Sequence, residues 1–214
     1  MQRTTALTLA YSWWPRVGVR PDVVRVVLGS AAIALCAQIS IPLQPVPITG
    51  QTLGVLLAGA VLGSRLGALS VVLYLAEGLA GLPVFSSGTS AWSPTSVPGV
   101  PVIVGPTVGY LLGFVPAAYV VGWLAERGWD RHVLGAALAM VIGNLIVYAC
   151  GLAGLARIVP LEKLLAFGLL PFLPGDALKI ALAAAALPGA WALTRRGDVP
   201  PGAAHPGGGA PRGR

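Results

Sequence analysis

Pro171-Phe172-Leu173-Pro174-Gly175-Asp176-Ala177-Leu178-Lys179 opens an otherwise apolar run that continues to about Leu193. Its two prolines and glycine read as a turn leading into a helix start, because proline is tolerated where the first N–H groups of a helix lack partners anyway. One carboxylate and one ammonium follow at a spacing of three residues. That spacing puts both on the same helix face, one turn apart. No further charge occurs before Arg195. An ionisable pair on an apolar helix is costly in lipid, so it is expected to face an interior cavity or a partner group. The working expectation is that Asp176 and Lys179 hold a polar solute. The plainer alternative is that they only neutralise each other.

The rest of the chain supports a membrane setting for that helix. It has 214 residues, of which 56% are hydrophobic and 10% charged, and its mean hydropathy is +0.80. A soluble domain carries about 25% charged residues, so most of this surface is expected to face lipid. The net charge of +7 does not point to nucleic acid, since the basic residues sit at helix ends and tails and form no stripe interleaved with aromatics. Cys36 and Cys150 lie apart within apolar runs and make neither a disulfide framework nor a zinc pattern. His132 stands beside an arginine in a polar turn and His205 in the tail, so no metal site is expected. No clean apolar core with a small-residue cleavage site precedes Arg16, and a signal peptide is not expected.

Six membrane helices are expected, in one all-α domain over residues 23–194. Residues 1–22, with Arg3, Trp13, Trp14, Pro15, Arg16 and Arg20, read as a cytoplasmic or interfacial segment. Residues 195–214, rich in Gly, Pro and Ala, read as a disordered tail. The first helix covers residues 23–38 and carries small residues at four-residue spacing, Ser30 with Ala34 and Ala32 with Cys36, which permit close helix approach. Residues 39–50 hold three prolines and no charge; they are expected to fold over the domain as a lid or dip into it, or else to pack as an external loop. Two short helices follow, over residues 51–63 and 66–81, with Arg65 between them. Glu77, near the end of the second, is expected to reach the interface rather than line the cavity. Residues 82–104 form a long uncharged loop. The fourth helix runs from Gly105 to about Leu124, with Tyr110 about a turn inside the membrane.

The fifth helix covers residues 133–156. Asn144 is near its midpoint, with Tyr148 on the same face; Asn144 reads as a substrate contact or as interhelical glue, the commoner role. Residues 157–168 read as a polar connection to the sixth helix. The tails and the turns at Arg65 and Arg127–Arg131 hold nearly all the positive charge, and residues 39–50 and 82–104 hold none. Arg157 and Lys163 go against the pattern. The positive-inside rule therefore predicts a multi-pass cell-membrane protein with both termini cytoplasmic and access to Asp176 and Lys179 from outside.

Four ordered blocks are similar to one known family. They are Ile41-Pro42-Leu43-Gln44-Pro45-Val46-Pro47-Ile48-Thr49-Gly50-Gln51, Gly81-Leu82-Pro83-Val84-Phe85, Gly105-Pro106-Thr107-Val108-Gly109-Tyr110-Leu111 and the Pro171–Lys179 stretch. Over roughly residues 31–193 the chain resembles the BioY family, the biotin-binding S-components of energy-coupling factor (ECF) transporters. The family's Gly-Pro-Thr block usually continues Gly-Gly-Tyr, where this chain has Val108. The resemblance implies a six-helix subunit that captures biotin from outside and delivers it inward with a transmembrane coupling protein and paired cytosolic ATPases. It also implies that the first helix offers a surface to the coupling protein. Any ATP hydrolysis belongs to those partners, as the chain has no Gly-x-x-x-x-Gly-Lys-Ser/Thr loop.

Biotin offers two ureido N–H donors and a carbonyl, an apolar sulfur ring and a carboxylate tail. The expected substrate-binding residues are Asp176, to accept N–H bonds, Lys179, to meet an acceptor or the carboxylate, and Gln51, Thr49, Tyr110 and Asn144 to complete the polar set. No catalytic or metal-ligating residue and no cofactor are expected. The rival readings are an S-component for another vitamin, a stand-alone transporter, and a membrane-embedded enzyme. Against the last, the chain has no His-Glu-x-x-His, no Gly-x-Ser-x-Gly and no second membrane carboxylate well placed beside Asp176.

Overall fold

The computed structural model describes residues 8–13 and 19–196. Arg3, Trp14, Pro15, Arg16, His205 and the tail from residue 197 lie outside the described residues. The described chain is helical apart from one small hairpin, short 3-10 turns and the irregular segments that join them, of which the one over residues 82–104 is long. A short helix α1 (Leu9–Trp13) precedes α2 (Val19–Gln38). Strands β1 (Ser40–Ile41) and β2 (Ile48–Thr49) lead into α3 (Gln51–Leu62) and α4 (Ser64–Leu79). Then come α5 (Val108–Ala125), α6 (Val133–Leu155), α7 (Leu161–Gly168) and α8 (Leu173–Arg196). Four of these, α2, α5, α6 and α8, are long and apolar enough to cross a membrane; α3 and α4 are shorter.

The helix bounds depart from the sequence reading in several places: α4 spans Ser64–Leu79, so Arg65 is helical, α5 begins at Val108 rather than Gly105, and three further departures follow. First, α2 begins at Val19, four residues early, because Asp22 and Arg25 pair at 2.5 Å across one turn and let polar residues join the helix. Arg25 is buried, with its guanidinium 4.6 Å from the Tyr11 ring centre of α1. Second, the polar connection over residues 157–168 contains α7, whose Leu164 packs toward the core while Glu162 lies in its first turn. Third, α8 begins at Leu173, so Pro174 sits in the first turn and Gly175 within the helix, and it ends at Arg196 rather than before Arg195.

Helix α5 is the centre of the bundle, packed against α3, α4 and α6. Its contact with α6 is close because of glycine. A Cβ on Gly109 would fall 2.4 Å from the Cys150 carbonyl oxygen, and Gly154 lies against the same place. Outward faces are apolar, as lipid demands: Leu35 and Leu134 are each 72% exposed and Leu112 63%.

The small residues of α2 divide between inside and outside. Ser30 is fully buried and donates to Glu77 of α4 at 2.7 Å, whereas Ala32 is exposed. Glu77 is therefore an interhelical partner and lies away from the cavity described below.

At one end of the bundle, Gly63 turns with φ of 88° between α3 and α4, and Glu126 accepts from the Ser64 N–H and hydroxyl at 2.8 and 2.9 Å. A carboxylate there caps α4 and sits at the positive end of its dipole. The same end holds a buried Asp130, which accepts a 2.5 Å bond from the Trp191 indole of α8.

Candidate functional site

The other end of the bundle encloses a cavity of about 400 Å³. Three segments enclose it. Antiparallel pairing of Ser40 with Thr49 and Ile41 with Ile48 turns the proline-rich segment into a hairpin rather than a free loop. The segment over residues 82–104 folds across it, tied down by Trp92 Nε1 donating to the Leu79 carbonyl at 2.8 Å. Phe85 anchors that segment: it is 4% exposed, meets the Tyr74 ring edge-on at 5.3 Å, and lies on Gly78. The start of α8 closes the third side.

The floor is polar and buried. Lys179 donates to the Thr49 carbonyl at 2.7 Å, to the Thr52 hydroxyl at 2.8 Å and to Asp176 Oδ1 at 2.8 Å. Tyr148 of α6 donates to the second oxygen, Asp176 Oδ2. Thr52 is 3.5 Å from Oδ1, too long for more than a marginal bond. An ionised carboxylate has room for about four hydrogen bonds, so Asp176 keeps acceptor capacity toward the cavity. The Lys179 ammonium, with three donors, does not.

Gln51 gives Nε2–H to Tyr74 at 2.5 Å and takes the Thr49 hydroxyl proton on Oε1 at 3.0 Å. Its second N–H has no partner in the protein among the described residues. Ring faces of Phe85, Tyr110, Phe114 and Phe172 supply apolar walls. An apolar chamber with a few converging polar groups is the usual form of a small-molecule site.

Five of the six expected site residues, Thr49, Gln51, Tyr110, Asp176 and Lys179, line this cavity. Two of them differ from expectation in role. Tyr110 presents its ring, but its hydroxyl proton goes to the Gly168 carbonyl of α7 at 2.7 Å. Thr49 holds Gln51 and Lys179 in place through its hydroxyl and carbonyl.

Asn144 lies off the cavity. It borders a separate void of about 10 Å³ behind Lys179 and Thr52, and its Oδ1 is buried without a partner. Asn144 and Tyr148 share a face of α6, but four residues are about 6 Å along a helix, and that step separates the cavity from the packed interior. Tyr148 and Thr52 also belong to the floor, though neither is among the expected substrate-binding residues. The four-residue step from Asn144 was the available signal for Tyr148, and the one-turn step from Lys179 to Asp176 carried none for Thr52.

Comparison with known proteins places this architecture. A sequence model of the BioY family matches residues 9–196. The chain belongs to the BioY family. The biotin transporter BioY of Rhizobium etli is 38% identical over 161 residues, covering 72% of this chain and 82% of that protein. The biotin transporter BioY of Thermotoga maritima is 40% identical over 157 residues, covering 72% and 86%. Among solved structures, the S-component for biotin from an ECF-type ABC transporter aligns with a TM-score of 0.66 at 25% identity, over 83% of this chain and 90% of that one. This BioY-family chain is thus an all-α, multi-pass membrane protein with the S-component fold, in a family of transporters rather than enzymes.

Proposed function

We propose that this chain is the substrate-binding membrane subunit for biotin uptake. The observation that carries the reading is the Asp176–Lys179 pair, held in the floor of a cavity of about 400 Å³ in a chain whose relatives are biotin transporters. The Asp176 carboxylate accepts the ureido N–H groups, and a charge-assisted bond of this kind is shorter and stronger than a neutral one. The free N–H of Gln51 reaches the ureido carbonyl. Lys179 and Tyr148 fix the carboxylate, and Thr49 fixes Gln51 and Lys179. The rings of Tyr110 and Phe172, 6.2 Å apart, hold the sulfur ring. Asn144 acts behind Lys179 without touching the ligand.

Helices α2, α3, α4, α5, α6 and α8 all lie in the membrane, with both termini cytoplasmic and the cavity facing out. Arg65, Arg127 and Arg131 support this, being gathered at the end opposite the cavity. The membrane domain extends a few residues beyond 23–194 at each end. Inward delivery uses a transmembrane coupling protein and paired cytosolic ATPases. Equilibrium binding of biotin to the detergent-purified protein, beside riboflavin and thiamine, tests the assignment. Selective biotin binding is expected; a folded protein that ignores biotin refutes it.

A further inference from the structure

The cavity carries two formal charges, and they cancel. Asp176 and Lys179 are the only ionised side chains lining it among the described residues. All three Lys179 donors are taken, by Thr49, Thr52 and Asp176. A carboxylate arriving there finds no free ammonium N–H, only the one spare amide N–H of Gln51, and lies beside a carboxylate already present, which repels it. The floor therefore suits an uncharged head group.

The opposite end is different in kind. Its lining residues Gln44, Ser87 and Ser96 are exposed, so it forms the mouth. It carries no cation. Among the described residues Ser86, Ser96 and Thr107 line the cavity with hydroxyls that make no hydrogen bond to the protein, Ser96 exposed and Ser86 next to the exposed Ser87, which is paired with Ser40 at 2.7 Å. Those three hydroxyls can donate to an oxygen of either a carboxylate or an amide.

Resting on the biotin reading, we infer that the ligand's carboxyl end lies against this uncharged hydroxyl wall at the mouth, and that the site does not read its charge. Carboxamides of the ligand, including those extended on nitrogen toward solvent, then belong to the substrate class with the free acid. An extension on the amide nitrogen passes out between Ser87 and Ser96 rather than into the packed floor.

The test is equilibrium binding of biotin, biotinamide and Nε-biotinyl-lysine to the purified full chain. The three dissociation constants are expected to agree within about threefold, a difference well under 1.4 kcal/mol. A cation reading the carboxylate would instead cost the amides on the order of tenfold to a hundredfold. A loss of tenfold or more for both amides, with biotin still bound, overturns this inference and leaves the biotin reading standing. Failure of all three on folded protein removes both. Ser86→Arg supplies the missing cation and is expected to create a preference for acid over amide of about tenfold. An unchanged ratio in that variant places the tail away from this wall and overturns the assignment.

Discussion

Removing the ammonium from Lys179 separates a ligand-binding pair from one that only neutralises itself. In Lys179→Met the Asp176 carboxylate keeps Tyr148 and loses its counter-ion, and Thr49 and Thr52 lose a donor. Breaking a fully buried pair costs about 3–5 kcal/mol. Here the Asp176 side chain is 6% exposed but Lys179 is 17% exposed at the edge of a cavity, which solvates the orphaned charge. The lower end, about 3 kcal/mol, is the expected loss of stability. Adding Asp176→Asn removes the orphaned charge and is expected to restore at least half of that loss. Chemical unfolding in detergent reads stability, and biotin binding on the same samples reads function. The double variant is expected to be folded and to have lost binding, because no carboxylate remains to accept the ureido protons. If Asp176→Asn alone binds biotin within about threefold of the parent chain, the carboxylate does not receive the ligand and the proposed geometry is wrong.

Other perturbations test the surrounding structure. A Cβ on Gly151 would fall 2.2 Å from Tyr110 Cε1; Gly151→Ala is expected to cost about 1–3 kcal/mol of stability and to weaken binding by displacing a cavity wall. Glu126→Ala removes the cap on α4 far from the cavity and is expected to lower unfolding stability by about 1 kcal/mol with ligand affinity unchanged. Burial raises the Asp130 carboxyl above its ordinary 3.8, against smaller opposing pulls from Trp191 and Arg131. Its folded form holds the proton more firmly than the unfolded chain does, so its stabilising contribution is complete below about pH 3.8 and fades as pH rises through the raised value. Asp130→Asn is expected to flatten that part of the stability–pH profile, and an unchanged slope would assign it to another group.

The sequence carried the polar floor better than its surroundings, for physical reasons. Asp176 and Lys179 were legible because helix geometry alone puts residues three apart on one face, and lipid makes an unshielded pair costly. Gln51 and Thr49 adjoin the proline-rich segment, whose lack of charge already pointed inward. For Asn144 the sequence leaves substrate contact and interhelical glue both open, because periodicity assigns a face of a helix and says nothing of depth along it. Tyr110 is expected from sequence to give the substrate a polar contact because the acceptor of its hydroxyl, the Gly168 carbonyl, lies at the end of a helix that the charges at Glu162 and Lys163 disguise as a loop. The β1–β2 pairing was invisible because prolines exclude a helix without specifying which residues will pair.

Lys179 bonds at once to the last residue of the hairpin, to the first turn of α3 and to its own helix. It is a three-way latch. Sliding α8 by one helical turn, about 5.4 Å, breaks the bonds to Thr49 and Thr52 together, so the hairpin loses its strut at the moment the floor loses its geometry. If ligand release requires that displacement of α8, dissociation is expected to follow a single exponential; a multiphasic decay would point to fraying at the mouth instead.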